Sequence, residues 1–77
     1  MADGAFSANK DFNNITRTGI WFCNTWTGGW SNSPEQAILI GIVGAFNTDR
    51  VVQIFVGNNV WARQKYNGTW SAWAKLN

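Results

Sequence analysis

Residues 51–76 read VVQIFVGNNVWARQKYNGTWSAWAKL, and this stretch decides the fold. Two turn signals cut it into three short strands. Asn67-Gly68 is the stronger, because a two-residue type I′ turn needs positive φ at both central positions, which Asn tolerates and Gly adopts without steric cost. Asn58-Asn59, preceded by Gly57, repeats the device with less force. Two-residue loops at both places predict that Tyr66 faces Thr69, that Lys65 faces Trp70, and that Trp61 faces both Val56 and Ala74. Strand alternation then puts Val52, Ile54, Val56, Trp61, Arg63, Lys65 and Trp70 on one face. Val51, Gln53, Phe55, Val60, Ala62, Gln64 and Tyr66 fall on the other. A sheet with one solvated side should be polar on that side, yet in this register both faces mix apolar and polar groups.

Upstream, residues 37–46, AILIGIVGAF, are apolar at every position. Such a run fits a strand buried on both sides, or one packed against another subunit. β-Branched Ile38, Ile40, Ile42 and Val43, with Gly41 and Gly44, disfavour the competing short helix. Asn47-Thr48-Asp49-Arg50 turns this strand into the C-terminal unit, and residues 20–25, bounded by Gly19, form a first strand. Residues 26–34, WTGGWSNSP, are a loop. Residues 11–16, DFNNIT, allow one helical or 3-10 turn with Asp11 as its cap. Residues 1–10 are small and polar apart from Phe6 and are expected to be a leader or linker, with residues 11–77 as the β domain. The expectation is an all-β fold: a small antiparallel sheet of about five short strands whose last four form a C-terminal meander.

A chain of 77 residues makes one small domain, and chains of this size bury only about 60% of their unfolded surface. Cys23 is the only cysteine and there is no histidine, so neither a disulfide nor a zinc staple can add stability. Oligomerisation is the most economical remaining source of burial. Only 13% of residues are charged and 16% are aromatic, six of them Trp; disordered chains show the opposite balance. The net charge is +2, but the six basic residues are scattered, without the electrostatic footprint of a nucleic-acid binder. The ten-residue apolar run is too short to span a bilayer, and MADGAFSANK lacks the charged-then-apolar order of a secretion signal. Neither nucleic acid nor membrane insertion is expected.

Catalysis has little to draw on. The acids Asp3, Asp11, Glu35 and Asp49 are far apart in sequence, so a carboxylate pair able to cleave a glycosidic bond would have to be assembled by the fold. No catalytic residue, metal site or cofactor is expected, and Cys23, in mid-strand, is expected to be packed and inert. The tryptophans are the candidate sites. Sugar rings present C–H patches that lie well on indole faces, while amides and hydroxyls bind their OH groups. Trp26, Trp30 and Asn32 sit in a loop with that chemistry and form the candidate glycan site; packing over the sheet edge or at a subunit contact is the competing reading. Trp21, Trp61, Trp70 and Trp73 are expected in the core or at an interface. Lys65 opposite Trp70, with Arg63 diagonal to it, suggests a structural cation–π contact worth about 0.5–1 kcal/mol.

Three segments resemble one family. Asp11-Phe12-Asn13 through Thr18-Gly19-Ile20-Trp21 is similar to the opening of the pyocin-knob modules found near the C-termini of bacteriophage and pyocin tail fibres. Gln53-Ile54-Phe55 resembles that family's Gln-apolar-aromatic strand. Val60-Trp61-Ala62-Arg63 followed by Asn67-Gly68-Thr69-Trp70-Ser71-Ala72-Trp73 resembles its closing motif. The resemblance spans nearly the whole chain. It implies an all-β homotrimeric knob in the virion, assembled in the host cytoplasm, that attaches phage to bacterial surface glycan or to another virion protein without catalysis. The alternative is a structural virion adaptor or capsid decoration whose aromatics serve protein–protein contacts. The shaft that normally precedes such a knob is not among these residues, so tail and capsid locations both stay open. Under this reading one sheet face packs within the protomer and the other meets its symmetry mates, which leaves the 26–33 loop for recognition.

Overall fold

The β-branched, glycine-punctuated pattern folds into an all-β domain. The computed structural model describes residues 2–4 and 10–77. One sheet contains β1 (Ala2–Gly4), β2 (Gly19–Asn24), β3 (Ile38–Asn47), β4 (Arg50–Val56), β5 (Val60–Tyr66), β6 (Thr69–Trp70) and β7 (Ala74–Lys75). Spatial order follows chain order from β1 to β6, and β7 returns to pair with β5. The four long strands, β2 to β5, form an antiparallel meander. β1 lies parallel to β2, so part of the leader expected at 1–10 joins the sheet edge; residues 1 and 5–9 of that leader lie outside the described residues. Phe12–Asn14 form the single 3-10 turn, and the Asp11 side chain caps it by accepting from the Asn13 N–H at 2.9 Å.

The two C-terminal hairpins differ in how they close. Asn67 and Gly68 have φ of 52° and 82°, the left-handed pair a type I′ turn requires. Lys65 accordingly stands opposite Trp70, and Tyr66 opposite Thr69. The hairpin before it departs from the expected register. Neither Asn58 nor Asn59 has positive φ, so no type I′ turn forms; the loop takes three residues, 57–59, and Val56 pairs with Val60. Trp61 therefore faces Phe55 and Lys75, while Ala74 faces Ala62. Glu35 holds this wider loop: its Oε2 accepts from the Asn59 backbone N–H at 3.0 Å, and its Oε1 from the Asn59 side chain at 3.2 Å.

A one-residue slip moves every side chain beyond it to the opposite face, so the observed register brings Trp61 and Arg63 to the side of Phe55 and Gln53 and leaves a buried inner face and an exposed outer one. Trp21, Cys23, Leu39, Val43, Val51, Gln53, Phe55 and Arg63 share the inner face and are buried. Ile20, Phe22, Ile38, Ile40, Ile42, Val52, Ile54 and Val56 share the outer face and are exposed. β3 alternates strictly over 38–43, so burial of both its faces within one chain is not what forms.

The segment before β2 folds over the inner face. Phe12 and Ile15 are fully buried, and the Phe12 ring meets Phe55 at 5.0 Å, Trp30 at 5.2 Å and Trp73 at 5.9 Å between centroids. Gly41 makes room for this cluster, since a Cβ there would lie 2.3 Å from the Phe55 ring. Gln53 ties the cover to the sheet. Its fully buried side chain donates to the carbonyls of Phe12 at 2.8 Å and Ile15 at 2.9 Å, which satisfies polar groups that a purely apolar face would strand. Cys23 is buried beside Trp21, and desolvation pushes its thiol pKa up to about 12, far from a reactive thiolate.

Candidate functional site

The observed register places Arg63 directly opposite Gln53 on the inner face. Arg63 is 7% exposed, and its Nε donates to Gln53 Oε1 at 2.7 Å. Its guanidinium lies 3.8 Å from the Trp70 ring centroid and 4.6 Å from that of Trp73. Two local devices bring those indoles together. The type I′ turn delivers Trp70 beside Lys65 and Arg63. The chain then leaves the sheet at 71–73, anchored by the Ser71 N–H on the Gln64 carbonyl, so that Trp73 folds inward and its indole N–H donates to the Asn32 carbonyl at 2.8 Å.

Asn32 reaches this place from the 26–34 loop. It adopts a φ of 59°, and its side chain donates to Asp11 Oδ1 at 2.9 Å, the atom that also caps the 3-10 turn. A cleft of about 470 Å³ results, with Asn13, Asn32 and Ser33 on one side and Arg63, Trp70, Ser71 and Trp73 on the other. Two buried polar atoms on its walls have no hydrogen-bond partner, Arg63 Nη2 and Asn13 Oδ1. Desolvation lowers the Arg63 pKa to about 10, partly opposed by the charge of Asp11, so the guanidinium is still a cation at neutral pH.

No family model, curated protein or solved structure matches this chain. The resemblance to pyocin knobs therefore rests on the residues quoted for it. The sequence-derived candidates separate in space. Trp26 is 59% exposed, and its backbone N–H bonds the Asn24 side chain. Trp30 packs its ring on Phe12, whereas Asn32 lines the cleft. Among the tryptophans expected to be structural, Trp21 is buried with its indole N–H on the Arg17 carbonyl. Trp61 is half-buried; its indole N–H is outside hydrogen-bond geometry, yet it lowers the pKa of the Glu35 carboxylate. Trp70 and Trp73 flank Arg63 and also wall the cleft. Sequence reasoning assigned no binding role to Arg63 or Asn13. The Arg63–Trp70 diagonal was visible, but the Gln53–Arg63 pair appears only once the 57–59 loop is counted as three residues.

The outer face is a second feature. Eight apolar side chains there are 36–65% exposed, and a shallow depression of about 410 Å³ runs among Ile20, Ile40, Ile42, Ile54 and Val56. Together they form one contiguous apolar patch across β2, β3 and β4, the kind of exposed surface that marks an interaction site. None of the eight carries a charge. Chemically, the cleft offers indole surface, amides, hydroxyls and a cation, which is the equipment of a saccharide site. The outer face offers only area.

Proposed function

We propose that this chain is a non-catalytic attachment knob of a phage fibre or appendage, carried on the virion, that works as a homotrimer and holds bacterial surface glycan. The observation behind the reading is the division of the sheet into two unlike faces. The inner one is sealed by the chain's own 3-10 turn and tryptophans. The outer one presents eight exposed apolar side chains on three neighbouring strands, β2, β3 and β4. Its occupant is further copies of this chain. An apolar patch offers nothing for a charged partner to recognise, and another apolar face is its complement. A small domain without disulfide or zinc staples gains the burial it lacks in the same step.

Sedimentation equilibrium at micromolar concentration is expected to give three times the protomer mass. A folded monomer overturns the assembly. Recognition is read by adsorption of the purified protein to host-type cells, which is expected to saturate. The same outer face also suits docking on another virion protein; binding to virions without binding to cells would identify an adaptor instead.

A further inference from the structure

We propose that the Arg63 cleft takes a carboxylate-bearing sugar, with the carboxylate directed to the Arg63 guanidinium and the sugar's C–H surface against Trp70 and Trp73. This deepens the attachment reading above and rests on it for the choice of a glycan. The charge of the ligand comes from the cleft itself. Its lining holds a cation, two indoles, amides and hydroxyls, with no Asp or Glu. The acid that acts on Arg63 is Asp11, whose Oδ1 is already taken by the Asn13 backbone N–H and the Asn32 amide. No carboxylate among the described residues forms an ion pair with Arg63, and its Nη2 is left without a partner.

Rings and hydrogen bonds hold that guanidinium in place at Gln53, Trp70 and Trp73, so a ligand does not have to order it. Arginine's planar fork suits a carboxylate, and charge-assisted bonds are about twice as strong as neutral ones. A neutral sugar meets the same indoles and amides but gives the guanidinium no charge-assisted bond.

The test is a titration of the intact protein, read by tryptophan fluorescence, with a uronic-acid trisaccharide, a neutral trisaccharide and inorganic phosphate. The uronate is expected to bind at least about tenfold more tightly than the neutral sugar, the factor expected of one charge-assisted bond. Arg63→Gln should abolish that preference. Because Arg63 is buried and its replacement can unfold the chain, Asn13→Asp provides the second variant. It keeps the Arg63 stack and adds a negative charge to the cleft wall, so it should weaken the uronate about tenfold or more relative to the neutral sugar. Equal affinity for the two sugars, an Asn13→Asp variant that binds the uronate normally, or phosphate binding as tightly as the uronate would each overturn the proposal. If neither sugar binds but the protein adsorbs to cells, the cleft assignment fails and the attachment reading stands. If the uronate binds but cells do not take up the protein, the reverse holds.

Discussion

Gln53 is the side chain at which the cover, the sheet and the cleft meet. Its Nε2 holds the carbonyls of Phe12 and Ile15, and its Oε1 receives the Arg63 Nε–H. Gln53→Leu keeps the volume and removes all three bonds. The Ile15 carbonyl and Arg63 Nε then lose their partner, while the Phe12 carbonyl retains only the bond from the Ile15 N–H. Leaving buried groups unpaired costs about 1–3 kcal/mol each, so with two such groups urea unfolding should show a loss of roughly 2–6 kcal/mol. A loss below about 0.5 kcal/mol, within the range of surface substitutions, would mean that Gln53 does not hold the cover. The loss should come with weaker stacking at Arg63, seen as a change in near-UV circular dichroism from the indoles. A polar residue in a strand shows its value only through what lies opposite, so the sequence identified Gln53 as a strand residue of the knob-like Gln-apolar-aromatic motif and showed none of its bonds.

At the level of elements, the strands and the Asn67-Gly68 turn were readable because their determinants are local: β-branching, alternation, and two residues with tolerated left-handed φ. The 57–59 loop was not, because its geometry depends on Glu35, a residue in another loop. The Glu35 carboxylate accepts from Asn59 twice, and its pKa is lowered, first by the Trp61 indole and then by the hydrogen bonds from Asn59 and Asn58, against an opposing desolvation. A carboxylate held below its ordinary pKa of 4.5 contributes stability that is fully present above that value and is lost as pH falls through the lower folded value. Hydrogen exchange at the Asn59 amide should therefore accelerate as pH drops from 5 toward 3, beyond the intrinsic pH dependence of exchange. Glu35→Gln should flatten that response while leaving the loop more open at pH 7. An Asn59 amide equally protected in both proteins at both pH values would remove Glu35 as the determinant. The same clamp explains the misread faces, since the additional residue in this loop sends Trp61 and Arg63 to the side of Phe55 and Gln53.

For the whole molecule, the apolar run at 37–46 foretold a surface that one chain does not cover, but only the observed strand pairing shows that β2, β3 and β4 give it a single continuous face. Ile42 lies at its centre, paired with Ile20 on one side and Ile54 on the other, and is 65% exposed in the protomer. Ile42→Lys should therefore be nearly neutral for the isolated fold, within about 0.5 kcal/mol as for other surface positions. In an assembly that buries this face it would place an unpaired ammonium in an apolar contact, which proteins tolerate poorly. The expected outcome is a folded monomer by sedimentation, with an unchanged far-UV spectrum. Linkage provides a second readout: the urea midpoint of the wild type should rise with protein concentration, and that of the variant should not. Monomerisation should also separate the two surfaces functionally. Sugar binding in the Arg63 cleft should persist, because the cleft lies on the inner side of the sheet, whereas adsorption to cells should fall by about 10²–10⁴-fold as three linked sites become one. An Ile42→Lys protein that keeps the wild-type mass would show that the outer face is not where the copies meet, and one that becomes monomeric yet adsorbs to cells as before would show that attachment does not depend on assembly.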